Sequence, residues 1–72
     1  MTVRYPLRTP DGPISKLRTK RLLQVAAGMG DCKRFYHQYI YLVRAGFVVW
    51  ALGHAYLTLE GVNELDRLER IS

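Results

Sequence analysis

Five side chains able to read a nucleic acid recur at helical spacing in the middle of the chain. They are Arg34, His37, Gln38, Tyr41 and Arg44. Steps of i, i+3, i+4, i+7 and i+10 put all five on one face of a helix. An arginine can pair with guanine N7 and O6, and a glutamine with adenine N6 and N7, each through two bonds. A helix fits the major groove of B-DNA, where those base edges lie. His37 and Tyr41 can donate to phosphates or base edges. A merely solvated helix face is usually rich in glutamate and lysine, and no acid follows Asp31 on this one.

The charge distribution supports a polyanionic partner. Residues 1–44 hold nine of the eleven basic side chains against Asp11 and Asp31 alone. That half carries +7 and the remainder −2, which together give the net charge of +5. One face should therefore be positive and another near neutral or acidic. Lys16, Arg18, Lys20, Arg21 and Lys33 are the expected phosphate contacts around the reading face.

Other chemistry finds little support. Paired carboxylates, a histidine-rich ligand set and a phosphate-cradling glycine loop are all missing, so neither catalysis nor a cofactor is expected. One cysteine and two histidines are too few and too scattered for a structural zinc site. Cys32 stands next to Lys33 and Arg34; a redox sensor is conceivable, but a plain half-buried cysteine is the stronger expectation. There is no apolar run long enough to span a membrane, and no signal-peptide pattern at the start, so a reduced cytoplasmic setting is the default.

At 72 residues the chain makes one domain at most. Residues 1–12 carry Pro6, Pro10, Asp11 and Gly12, and read as a basic arm or an edge strand. The domain proper should span 13–72. A first helix should start near Pro13 and run to about Ala27, with Ile14, Leu17, Leu22, Val25, Ala26 and Met29 facing inward. A second should run from about Cys32 to Ala45 and stop at Gly46. Its apolar stripe is Cys32, Tyr36, Tyr39 and Val43. Residues 47–50 and 54–57 read as two strands joined by a three-residue loop, with glycine at the positive-φ position. Thr58 is then a fair cap for a final helix ending near Ile71. Leu59, Val62, Leu65 and Leu68 make a ridge on it. The four acids among the arginines of that helix read as a solvated face.

Residues 42–50 (Leu-Val-Arg-Ala-Gly-Phe-Val-Val-Trp) and 53–61 (Gly-His-Ala-Tyr-Leu-Thr-Leu-Glu-Gly) resemble the C-terminal half of winged-helix transcription regulators. There a helix ends in Leu-x-x-Ala-Gly-Phe/Leu-Val, a strand closes on Tyr-x-Leu-Thr-x-Glu-Gly, and an amphipathic helix follows. The match covers roughly residues 40–70. Ala26 and Gly30 also resemble the turn of a helix-turn-helix. Two departures stand out. Family members usually place three helices before the wing, and here the third is either a short helix within 13–20 or missing. The wing, flanked at its tip by Trp50 and His54, carries no Lys or Arg, and Leu52 at the tip is apolar.

The resemblance implies an α+β fold of winged-helix type. It further implies a small DNA-binding protein, a transcription regulator of a bacterium, phage or mobile element, that reads double-stranded DNA with residues 32–45. The ridge on the C-terminal helix either pairs two copies, as winged-helix regulators commonly do, or closes the core of a monomer. The competing expectation is a protein-interaction module or inhibitor that docks on a nucleic-acid-processing enzyme, which the apolar wing tip favours.

Overall fold

The computed structural model describes residues 7–10, 12–28 and 30–71. Residues 1–6 of the expected arm, and Met29 of the first apolar stripe, lie outside the described residues. The order of elements is hairpin, two helices, hairpin, helix, which makes the chain α+β.

Strands β1 (Leu7–Thr9) and β2 (Gly12–Ile14) pair antiparallel, Leu7 opposite Ile14. Pro13 therefore lies in a strand and does not open a helix, which corrects the expected start. The fixed φ of proline suits an edge strand as well as a first helical turn. Ser15 decides between them: its backbone is extended, and its Oγ accepts the Arg18 N–H at 3.0 Å. Helix α1 accordingly spans Lys16–Ala27.

The inward face of α1 is Thr19, Leu22, Leu23 and Ala26. Leu17, expected inside, is 54% exposed. Thr19 takes the inward place because its hydroxyl donates to Ser15 O at 3.0 Å, so burying it leaves no unsatisfied group.

The second helix is not continuous from Cys32. A 3-10 turn, Lys33–Phe35, precedes α2 (Tyr36–Arg44). Asp31 Oδ1 accepts the Lys33 N–H at 3.1 Å and opens that turn. A 3-10 turn advances about 120° per residue against about 100° in an α-helix, so it rotates Cys32 relative to α2, while within α2 the inward line runs through Tyr39 and Leu42 with Tyr36 and Val43 to one side. Cys32, Tyr39 and Leu42 are buried, whereas Tyr36 and Val43, expected with them, are partly exposed. The Tyr39 hydroxyl donates to Leu22 O and ties α2 to α1. Burial, with Cys32 beside it, pushes this phenol well above the usual tyrosine range.

The end of α2 follows from Gly46, whose φ is +87°. Gly46 N–H donates to Val43 O and Phe47 N–H to Leu42 O, both at 3.0 Å, the paired bonds of a Schellman motif. Strands β3 (Val48–Ala51) and β4 (His54–Leu57) follow. Ala51 pairs with His54, so the connection is two residues long, not three. Both Leu52 (φ 53°) and Gly53 (φ 77°) are left-handed, as a type I′ turn requires. Val48 and Ala55 are buried and Trp50 and Leu57 partly so, while Val49, Ala51, His54 and Tyr56 face outward with the period of two of a strand.

Helix α3 (Leu59–Ile71) begins where Thr58 Oγ1 accepts the Gly61 N–H at 3.0 Å. The same hydroxyl donates to Gly46 O at 2.5 Å, and Thr58 N–H donates to Phe47 O at 3.0 Å. The end of α2 and the start of α3 are thus locked together. Gly61 lies so close to Phe47 O that no side chain fits between them.

The leucine ridge of α3 divides. Leu68 is buried, Leu65 packs against the core, and Leu59 and Val62 are exposed. A three-residue repeat falls about 60° short of a full turn at each step, so Leu59 and Leu68 stand on nearly opposite sides. The inward face is completed by Gly61 and Glu64. Glu64, read from sequence as part of a solvated face, is 9% exposed and accepts from Arg67 Nε at 2.6 Å and Nη2 at 2.9 Å.

Candidate nucleic-acid interface

The five-residue stripe is distributed over two kinds of turn. His37, Gln38, Tyr41 and Arg44 lie on α2, whereas Arg34 lies in the preceding 3-10 turn, whose different pitch breaks the α-helical spacing that put it on their face. Arg34, His37 and Arg44 are exposed; Gln38 and Tyr41 are partly covered. The Arg44 guanidinium lies 5.9 Å from the Tyr41 ring centre, so each side chain limits the rotamers of the other.

Arg18 is brought to this surface from α1. Its Nε donates to Gln38 Oε1 at 2.8 Å, and its guanidinium carbon sits 5.3 Å from the centre of the Phe35 ring. Gln38 therefore has its carbonyl engaged in the free protein. The two-bond contact to adenine expected of it requires that this oxygen be released. Arg18 gains what Gln38 loses: a fixed position and a guanidinium edge not used by Gln38.

Lys16 and Lys20 of α1 do not join the set. They leave the helix on the α3 side, where they line a small cleft with Leu17, Leu68 and Ile71. Both already have interaction partners within the chain. Arg21 is exposed. The basic half thus divides between two surfaces, which net charge alone could not indicate.

Lys33 reaches the second hairpin. Its Cε lies 3.5 Å from the position a Cβ would occupy on Gly53. The hairpin has no Lys or Arg of its own, so this lysine supplies positive charge at its turn. Sequence reasoning could not pair the two, because 20 residues separate them and neither carries a local signal.

Trp50 and His54 have different surroundings. Trp50 packs edge-on to Tyr36 at 5.0 Å between ring centres and tilts against Tyr39 at 6.1 Å, which fixes the hairpin onto α2. His54 is exposed and stands 6.4 Å from Tyr56.

A groove of about 640 Å³ separates the first hairpin from α2. Pro10, Pro13 and Ser15 form one wall, and Arg18, His37, Gln38 and Tyr41 the other. Among the described residues its lining contains no acid. Glu60, Glu64, Asp66 and Glu69 all belong to α3, which contributes nothing to this lining.

Among the described residues, no group of three or more His, Cys, Asp and Glu side chains could hold a metal, and no helix is long and apolar enough to cross a membrane. No protein-family model, curated protein or solved structure matches the chain.

Proposed function

We propose that this protein binds double-stranded DNA as a small winged-helix-like transcription regulator. In this reading α2 lies in the major groove and the second hairpin serves as the wing. The observation that carries it is an α2 with no acid of its own that exposes His37 and Arg44 and receives the Arg18 guanidinium through Gln38, with Lys33 and Arg34 in the turn just before it. Arg34, His37 and Arg44 are exposed; in this reading they contact bases, and Arg18 and Lys33 contact phosphates. Fluorescence anisotropy with a labelled random duplex tests this. Binding should fall steeply between low and moderate salt, because each phosphate contact releases counterions. Equal affinity at both salt concentrations, or no binding, removes the reading.

A protein-docking role is favoured by one feature. Tyr36, Ile40, Val43, Arg44 and Trp50 line a cleft of about 210 Å³ beside the reading face, and its Tyr36 and Val43 are partly exposed. A partner enzyme of nucleic-acid metabolism would bury that cleft and leave duplex binding weak.

The same reading includes a homodimer through α3. Leu59 (77% exposed) and Val62 (49%) are the part of its ridge that the core does not use. Sedimentation at micromolar concentration should show a dimer that Val62→Asp splits without unfolding, since Val62 is outside the core. A clean monomer of the wild type removes the dimer.

A further inference from the structure

The turn of the second hairpin is built against its own local preferences. A type I′ turn needs positive φ at both central residues, which favours Asn-Gly. Here the first is Leu52, at φ 53° and 93% exposed. A left-handed leucine is strained, because its Cβ crowds the following carbonyl oxygen. Its side chain, left in water, recovers almost nothing by packing within the chain. An asparagine would relieve both penalties. An apolar residue disfavoured twice at a hairpin apex points to a contact outside the chain.

Its neighbours indicate what that contact is. Lys33 lies against the same turn, approaching where Gly53 has no side chain. Arg34 follows it in the chain. An aliphatic group at the apex with a cation at its side matches the two parts of a DNA step: an apolar stack and a flanking phosphate. Apolar wedges, leucine among them, enter between base pairs from the minor groove and partly unstack them.

Resting on the duplex-binding reading above, we propose that Leu52 is such a wedge. It inserts into a base step beside the segment held by α2, Lys33 neutralises the adjoining phosphate, and the duplex bends. Pyrimidine–purine steps, which kink most easily, should be preferred.

The test uses the full chain and a duplex with 2-aminopurine at a TA step. Wild-type binding should raise its fluorescence, as unstacking requires. Leu52→Asn should raise the melting temperature of the protein, because the turn now suits its residues. It should still bind the duplex, with affinity lower by about tenfold, and give no fluorescence rise. Lys33→Gln should lower the slope of log affinity against log salt by about one. Wild-type binding without a fluorescence rise, or Leu52→Asn binding with full affinity and full rise, overturns the wedge and leaves duplex binding intact. The former is also what a protein pocket for Leu52 would give. A wild type that binds no duplex overturns both readings together.

Discussion

Gly61→Ala is expected to unfold the protein or bring it close to unfolding. A Cβ at this position would overlap Phe47 O and stand 2.8 Å from Phe47 C. Both are backbone atoms, so no rotamer change can relieve the overlap. Phe47 cannot move freely either. Its carbonyl accepts from Thr58 N–H, its own N–H donates to Leu42 O, and the residue is 4% exposed. Helix propensity opposes this prediction, since alanine is favoured over glycine by about 1 kcal/mol. The overlap should win, because relieving it means prising α3 from the start of β3. Overpacking typically costs about 1–3 kcal/mol and more where backbone must shift. A domain of this size has a total stability of only roughly 4–11 kcal/mol. Circular dichroism melting should show a fall of about ten degrees or more. An unchanged or raised melting temperature would mean that α3 does not approach Phe47 this closely.

The second large effect is expected on binding. Arg34→Ala with Arg44→Ala should lower duplex affinity by about a hundredfold or more, with helical content unchanged. Removing a guanidinium from a two-bond base contact costs about 1–3 kcal/mol, and tenfold corresponds to about 1.4 kcal/mol. Neither residue is buried. Arg44 meets the Tyr41 ring at 5.9 Å on the surface of α2, outside the core, so stability should hold. Lys16→Ala with Lys20→Ala is the matched control, removing the same charge from the α3 side of α1. It should change duplex affinity much less. The contrast distinguishes a located interface from a general effect of positive charge.

The parts of the fold that are legible in sequence are those set by a few adjacent residues. Gly46 ends α2, Thr58 caps α3, and alternation marks β3 and β4, each through a local backbone requirement. The phrase ending in Ala45-Gly46-Phe47 and the phrase Thr58-Leu59-Glu60-Gly61 meet in space, and their order in the chain reflects that interlock. Pro13 is ambiguous because one φ value serves both a strand and a helix start. The 3-10 turn at Lys33–Phe35 has no composition of its own, so the phase of Cys32 and Arg34 relative to α2 cannot be read from spacing. The two-residue turn is hidden because leucine is a poor candidate for positive φ.

The candidate site is legible as a face and not as an assembly. The spacing of His37, Gln38, Tyr41 and Arg44 holds on α2. The bond from Arg18 to Gln38, the approach of Lys33 to Gly53 and the retreat of Lys16 and Lys20 toward α3 are contacts across elements. They depend on how α1 and the hairpin pack on α2, which no single segment encodes.

The most direct measurement is the salt dependence of duplex binding by the wild type and by the Arg34→Ala, Arg44→Ala protein, both checked for native circular dichroism. The wild type should show a steep negative slope of log affinity against log salt, with weaker binding and a shallower slope in the double mutant. Every phosphate that the double mutant no longer neutralises should make the slope shallower by about 0.9. A folded double mutant with the affinity and slope of the wild type would contradict the assignment of α2 as the DNA-reading element.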